Sequence, residues 1–194
     1  MPVVTALRAG PRGQVEVHLD GAPWRTLPGA AVAAAGLSVG NVVDRETARR
    51  LRRELVRARV VSSIGTALAR RDRSRQGLRA ELDRRGLRPA ELEVALETAT
   101  DLGLVDDDRF AASTAARLAA KGQGDVAILF ELERQGVSGE TARAAVAALA
   151  PERERAAAIA SRVSGDPRRL AALLGRRGFD PDVIEAVVAG LDAS

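Results

Sequence analysis

The chain has 194 residues, 46% of them hydrophobic, and its 30 basic and 26 acidic residues give a net charge of +4. This length allows one or two domains with their own hydrophobic cores. Because the chain contains no cysteine, disulfide bonds and thiolate chemistry are excluded. No apolar run approaches the roughly 18 residues that would span a bilayer, and the first residues lack a signal-peptide pattern. We therefore expect a cytoplasmic protein that does not enter a membrane.

Residues 3–27 predict a three-stranded meander. In its middle strand, apolar side chains alternate with polar ones, and His18 is expected on the polar face. The apolar positions are Val15, Val17 and Leu19. Turn sequences, GPRG before this strand and DG after it, separate it from its neighbours.

Two readings of Trp24, the only tryptophan, are open at this point. Its ring either fills one face of the small sheet or stacks on a nucleic-acid base. A short alanine-rich helix is expected at 29–35, with Gly36 ending it.

From Asp44 onward the sequence predicts helices alone. Asp44 and Ser74 are suitable N-caps, and Asp106–Asp108 supply a cap and acidic residues for a first turn. The predicted helices span 46–71, 75–85, 90–102, 107–120, 125–135, 139–149, 152–163, 167–177 and 181–191.

One pattern occurs three times in this helical region, at 81–96, 131–146 and 173–188. Each copy has a helix with basic residues before a glycine, then an apolar residue, then a second helix. The aligned positions are Gly86, Gly136 and Gly178; Leu87, Val137 and Phe179; Leu92, Ala142 and Ile184; and Leu96, Val146 and Val188. Repeats of this length indicate stacked helical units that present an elongated surface to an extended partner.

The positive charge is concentrated in one part of the chain. Residues 45–88 hold 15 arginines against five acidic residues, a net charge of +10, whereas residues 89–111 carry −6. Such a basic block suits a phosphate backbone. Arginine supplies 29 of the 30 basic residues, and its planar guanidinium can form bidentate phosphate contacts.

Seven arginines of the first repeat are the candidate contacts to nucleic acid or to a nucleic-acid filament. They are Arg70, Arg71, Arg73, Arg75, Arg79, Arg84 and Arg85. We expect the cluster at Arg71, Arg73, Arg75 and Arg79 to be exposed and to bind phosphate in a salt-dependent way. For Arg84 and Arg85 the alternative is a solvated helix end that complements the helix dipole.

No residue pattern points to catalysis. His18 is the only histidine, and Lys121 lies in AAKGQG, which lacks the spacing of a phosphate-binding loop. The consecutive carboxylates Asp106–Asp108 point in different directions on a helix and are interpreted as capping residues. We therefore expect no catalytic residues, no metal and no cofactor.

Three segments resemble the RecX family, which modulates the bacterial recombinase RecA. They are ALARRDRSRQGLRAELDRRG at 67–86, LGLVDDDRFA at 102–111 and KGQGDVAILFELERQGVS at 121–138. The resemblance implies three tandem three-helix repeats in an elongated, curved body. It also implies a protein that is not an enzyme, binds DNA, and lies in the groove of the RecA–single-stranded DNA filament, where it lowers ATP hydrolysis and strand exchange.

We thus predict a mainly α fold, with a small β-rich N-terminal domain at 1–44 and three-helix repeats at 45–103, 104–150 and 151–194. The apolar run AILF at 127–130 favours protein contact by the second repeat. Candidate partner contacts are Arg117, Lys121, Leu129, Phe130, Arg134, Arg168, Arg169, Arg176 and Arg177.

The leading hypothesis is a monomeric, non-enzymatic regulator of the RecA filament that also binds single-stranded and, as a further candidate, double-stranded DNA. One alternative is a stand-alone helix-turn-helix-like DNA-binding regulator, in which Gln76 is the sole residue suited to base reading on helix 75–85. The other is a helical protein-interaction scaffold.

Overall fold

The computed structural model describes residues 1–69, 72–163 and 166–192. Three strands form an antiparallel sheet in the order β1–β2–β3, with a 3₁₀ turn at Pro11–Gly13. The strands are β1 Val4–Ala9, β2 Gln14–Leu19 and β3 Ala22–Pro28. Ten α-helices follow within the described residues: α1 Gly29–Ala34, α2 Arg45–Leu68, α3 Arg75–Arg84, α4 Pro89–Asp101, α5 Asp107–Ala120, α6 Asp125–Arg134, α7 Gly139–Ala147, α8 Glu152–Ala160, α9 Pro167–Arg176 and α10 Pro181–Asp192.

The predicted fold class, mainly helical with a small N-terminal sheet, is confirmed. The chain divides into two compact units, one of residues 1–69 and 82–97 and the other within 70–81 and 98–194. The four predicted domain limits stay a prediction. Among the described residues, no helix combines the length and the hydrophobicity needed to cross a bilayer.

The core of the first unit lies under the sheet. Val4 and Val17 are fully buried there, and Leu51 of α2 packs into the same cluster. α2 begins as predicted, because the Asp44 carboxylate accepts a hydrogen bond from the Thr47 amide at 2.7 Å. This cap satisfies an amide that has no partner inside the helix.

Two side chains of the sheet differ from the sequence expectation. The pairing of β2 with β3 shifts register between Val17 and His18, and both residues are buried. A bulge interrupts the alternation of faces, so His18 is not on a polar face as predicted. The Trp24 side chain is 42% exposed, so its ring does not fill a face of the sheet. The Arg25 guanidinium lies 5.6 Å from the centroid of this ring.

The repeated glycines end the second helix of each repeat in the same way. Gly86, Gly136 and Gly178 all have positive φ, between 70 and 79°. In each copy the glycine amide and the next amide donate to carbonyls three and five residues back, which is the Schellman motif. The apolar residue after each glycine is buried together with a leucine of the preceding turn; these pairs are Leu82 and Leu87, Leu132 and Val137, and Leu174 and Phe179.

The second and third repeats each have a hydrophobic cluster of their own. Phe110 of α5 packs with Ile128 and Leu132 of α6 and with residues of α7. Leu170 and Leu174 of α9 pack with residues of α8 and α10 in the same manner. Both clusters belong to the second unit.

Candidate nucleic-acid and partner surfaces

The N-terminus of α3 lies against the C-terminal end of α6. Ser74, which is 1% exposed, accepts a hydrogen bond from the Gly77 amide at 3.0 Å and donates its hydroxyl proton to the Gln135 carbonyl. The Gln76 side chain occupies the space that a Cβ at position 136 would need. Ser74 therefore caps α3 as predicted and also joins the first repeat to the second.

The same arrangement recurs between α6 and α9. The Gly124 amide donates to the Arg177 carbonyl at 2.8 Å, and the Val126 amide donates to the Gly178 carbonyl at 3.1 Å. Amides at the positive end of one helix thus bind carbonyls at the negative end of the next. The second helices α3, α6 and α9 follow one another through these two junctions.

Carboxylates from the first helix of the following repeat reinforce both junctions. Asp107, the first residue of α5, accepts a hydrogen bond from the Arg75 amide at 2.7 Å. Glu152, the first residue of α8, accepts one from the Asp125 amide at 2.6 Å. Asp106 caps α5 by accepting from the Arg109 amide at 2.9 Å. Capping of α5 is thus confirmed for Asp106, while Asp107 accepts from an amide of α3 instead. The described residues contain no cluster suited to a metal ion.

Arg73 does not have the exposure expected of a phosphate contact. Its side chain is 13% exposed and lies 3.0 Å from the Glu81 carboxylate, which is itself 11% exposed. The sequence could not indicate this pair, since Arg73 precedes α3 and Glu81 lies in its second turn. Arg70 and Arg71 lie outside the described residues.

The other predicted arginines of this group are exposed. Arg75 begins α3, and its guanidinium donates to the Thr100 hydroxyl at 2.8 Å. Arg79 is exposed in the middle of α3, and Arg84 and Arg85 are exposed at its end. The structure therefore brings Arg73 and Arg75 into contact with polar groups of the second unit, while Arg79, Arg84 and Arg85 remain accessible.

The difference between Arg73 and Arg79 leads to a prediction. Arg73→Ala should lower the free energy of unfolding by about 2 kcal/mol, because the Glu81 carboxylate would lose a partner in a place with little water. Arg79→Ala, at an exposed position, should change it by less than about 1 kcal/mol. Urea unfolding followed by circular dichroism measures both, and equal losses would contradict the structural role of Arg73.

Two further arginines of the basic block have a structural role around Glu91. The Arg88 amide and guanidinium both donate to the Glu91 carboxylate, at 3.0 and 2.8 Å, and this carboxylate is 4% exposed. Arg59 donates to the Gly86 carbonyl at 3.1 Å and lies 3.9 Å from Glu91. The hydrogen bonds from Arg88 lower the pKa of Glu91 from 4.5 to about 2.

This pKa predicts a pH dependence of stability. Because the pKa is lower in the folded state, the unfolded chain binds more protons between pH 4.5 and 2, and the contribution of Glu91 is lost as the pH falls through that window. Glu91→Gln should therefore be less stable than the unmodified protein above about pH 4.5, and the difference should shrink toward pH 2. Glu97→Gln, on the exposed side of α4, is the control. A pH-independent difference for Glu91→Gln would contradict the assignment.

Arginines on α2 form an exposed surface that the site prediction missed. Within the described residues, the side chains of five of them have no hydrogen bond or ion pair: Arg45, Arg49, Arg52, Arg53 and Arg57. They belong to the basic block, and their spacing of three and four residues was the signal that could have identified them.

α6 exposes an apolar face in the second repeat. Phe130 is 67% exposed and Val126 is 54% exposed, one helical turn apart, while Leu129 beside them is half-buried. Arg134, four residues after Phe130, is bound to the Glu131 carboxylate at 2.7 Å, and the hydrogen bond from Arg134 lowers the pKa of Glu131.

The remaining candidate partner contacts lie at helix ends of the second unit. Arg117 and Lys121 are exposed at the end of α5, and Arg168 and Arg169 are exposed in the first turn of α9. Arg134 and Arg176 are the last residues of α6 and α9, as Arg84 is of α3. Arg177 is half-buried, with its guanidinium against Gly122.

Comparison with known proteins identifies relatives along much of the chain. The family described as RecX, second three-helix domain, matches residues 106–146. The regulatory protein RecX of Chromohalobacter salexigens is 38% identical over 130 residues, which cover 63% of this chain and 86% of that protein. Regulatory protein RecX of Xanthomonas axonopodis pv. citri is 36% identical over 128 residues, with coverage of 61% and 79%.

Solved structures show that the fold is shared as well. A crystal structure of regulatory protein RecX aligns with a TM-score of 0.77 over 96% of this chain and 98% of that chain, at 18% identity. RecX from Lactobacillus salivarius aligns with a TM-score of 0.64 over 72% of this chain and 98% of that chain, at 16% identity. With these sequence relatives and this common fold, the chain belongs to the RecX family of regulatory proteins.

Proposed function

We propose that this chain is a non-enzymatic regulator of the recombinase RecA, which binds along the RecA–single-stranded DNA filament and inhibits its ATPase and strand-exchange activity. The observation that carries the proposal is the exposed apolar face of α6, formed by Val126 and Phe130, inside the repeat that matches the RecX family. Exposed aromatic side chains on a rigid helix are typical of protein-binding surfaces.

The exposed arginines supply the contacts to DNA or to acidic parts of the filament in this proposal. Arg79 and Arg84 of α3, and Arg85 directly after it, are accessible and carry the positive charge predicted for this region. Arg134 and Arg176 lie at the equivalent ends of α6 and α9, so an extended partner would meet an arginine at the same position of successive repeats. Leu129, Phe130, Arg117, Lys121, Arg168, Arg169 and Arg177 are proposed as further filament contacts.

The helix-turn-helix alternative has less support from the structure. It requires a polar recognition residue on α3, and Gln76 instead lies against Gly136 at the junction with α6. The exposed residues of this helix are Arg75, Gln76, Arg79, Ala80, Asp83 and Arg84. The arginines among them favour backbone phosphate contacts over the reading of base edges.

The direct test is the ATPase activity of RecA, from the same organism, on single-stranded DNA. Addition of this protein at a stoichiometric amount should lower the rate of ATP hydrolysis. Phe130→Ala should need roughly 30-fold more protein for the same inhibition, since central aromatic residues contribute about 2 kcal/mol or more to an interface. Val39→Ser, which alters another exposed apolar residue, is the control. An unchanged ATPase rate with stoichiometric unmodified protein would reject the proposed function.

A further inference from the structure

The N-terminal half of α2 has one face in the core of the first unit and arginines on the opposite side. Leu51 is 3% exposed and packs with Leu55 against the sheet and α1. The other side carries arginines at every fourth position: Arg45, Arg49, Arg53 and Arg57, with Arg52 beside them. We call these five residues the α2 arginine row.

The α2 arginine row is regularly spaced along the helix axis. Residues four apart on a helix lie on one ridge, and each step advances about 6 Å along the axis. The row from Arg45 to Arg57 therefore extends over roughly 18 Å. Each guanidinium group has a planar set of hydrogen-bond donors. A linear chain of phosphates can therefore bind successive arginines at such intervals.

Most other arginines of the basic block are bound to groups of the protein itself. Arg50 lies 3.3 Å from the Glu46 carboxylate, and Arg59 and Arg88 bind around Glu91. The five side chains of the row, by contrast, have no hydrogen bond or ion pair within the described residues. Like charges four residues apart destabilise a helix, and a bound anion would offset that repulsion.

A groove adjoins the end of the row. It has a volume of about 510 Å³ and lies between α1, α2 and the ends of β2 and β3. Arg57 and Glu54 line it from α2 and Arg12 from the turn before β2, while Ala31, Ala34 and Val61 provide apolar surface. Arg57 thus belongs both to the row and to the groove. This volume is within the range of clefts that hold small organic ligands.

We propose that the α2 arginine row binds the phosphate backbone of a single-stranded nucleic acid and that the groove takes one of its unpaired bases. In this arrangement the guanidinium groups of Arg12 and Arg57 bind the phosphates that flank the inserted nucleotide. A base within a duplex is stacked and paired and cannot enter, so the surface prefers single strands. This binding needs no recombinase, and it goes beyond the proposed function because it assigns a nucleic-acid site to α2 and the adjoining groove.

The test is direct binding of the full chain to fluorescein-labelled oligothymidylate, measured by anisotropy at several salt concentrations without RecA. Replacement of Arg45, Arg49, Arg53 and Arg57 by glutamine should weaken binding at least about 100-fold at low salt. It should also reduce the slope of log K against log salt by about 3, since each phosphate contact on a single strand contributes about 0.7. Glutamine retains helix propensity, and fluorescence of Trp24, the sole tryptophan, reports on the fold of the same unit.

A charge-matched control distinguishes binding at the α2 arginine row from non-specific electrostatic attraction to the oligonucleotide. Replacement of Arg109, Arg143, Arg153 and Arg162 by glutamine, at four exposed positions of the second unit outside the proposed nucleic-acid and filament contacts, changes the net charge equally and should leave most of the affinity. An equal loss in this variant would overturn the assignment to α2. If the variant of the α2 arginine row lost DNA binding and still inhibited the RecA ATPase, DNA binding by the row would be independent of the contacts that inhibit RecA.

A second variant tests the groove. Ala34→Leu places a larger side chain on its apolar surface and should remove the preference for oligothymidylate over a duplex of equal length. If the unmodified protein bound the duplex as tightly as the single strand, the insertion of a base would be disproved.

Discussion

Replacement of Gly124 by alanine is expected to lower the free energy of unfolding by about 3 kcal/mol, although it adds one methyl group. Gly124 has a φ of −84°, which alanine adopts without strain. A Cβ at this position would overlap the Gly178 carbonyl and the Phe179 amide, which are backbone atoms and cannot rotate away. The two helix ends would have to separate, and the hydrogen bond from the Gly124 amide to the Arg177 carbonyl would break.

Thermal unfolding followed by circular dichroism should show a fall of roughly 6–12 °C in Tm for Gly124→Ala. Gly175→Ala is a matched control in the last turn of α9. The added Cβ there would be 4.0 Å from the Ile184 side chain, an ordinary contact, and alanine is the better helix former by about 1 kcal/mol. This control should raise Tm. If Gly124→Ala had the same Tm as the unmodified protein, the described close contact between α6 and α9 would be contradicted.

Replacement of Arg155 by methionine is the second change with a large expected effect, a loss of about 2–3 kcal/mol in the free energy of unfolding. The Arg155 side chain is 13% exposed and is paired with the Asp125 carboxylate. It also donates to the Gln123 carbonyl at 2.9 Å and to the Ala150 carbonyl at 3.0 Å. Methionine fills similar space and leaves these acceptors without a donor. This loss in the free energy of unfolding is at the lower end of the range for breaking a buried ion pair, because the Asp125 side chain is 30% exposed.

A lysine at position 155 tests whether charge alone is sufficient. It would keep the attraction to Asp125 and lose the planar set of donors, so Arg155→Lys should recover less than half of the loss. A double-mutant cycle with Asp125→Asn should give a coupling energy of about 1 kcal/mol or more between the two side chains. Additive losses would contradict the pairing, and a fully stable lysine variant would show that the two carbonyls do not depend on the guanidinium.

Both predictions concern junctions between repeats, which the sequence pattern did not reveal. The repeat register placed Gly86, Gly136 and Gly178 at helix ends, and all three have the positive φ that such ends require. Gly124, by contrast, precedes α6 in a local sequence that gives no sign of a distant partner. Its actual role, close backbone contact with α9, depends on residues more than 50 positions away, which no local pattern encodes.

In the candidate site, too, local sequence indicates one part of the arrangement and contacts between distant residues decide the other. A basic block at 45–88 was recognised from charge alone, because charge is a property of each residue. Which of its arginines are accessible depends on carboxylates that the fold brings near them. Glu81 binds Arg73, and Glu91 binds Arg59 and Arg88, whereas no carboxylate in the described part of the chain pairs with the α2 arginine row.

The sequence by itself determined the helices, their caps, the glycine-terminated repeat and the position of the positive charge. These features follow from interactions between residues a few positions apart: the 3.6-residue period, a side chain that accepts from an amide three residues on, and a glycine that alone adopts positive φ at low cost. Tertiary structure decided the burial of His18 by a bulge, the junctions of α3 with α6 and of α6 with α9, and the accessibility of each arginine. These depend on packing between distant segments, where a shift of one residue or a single ion pair changes which side chain meets solvent.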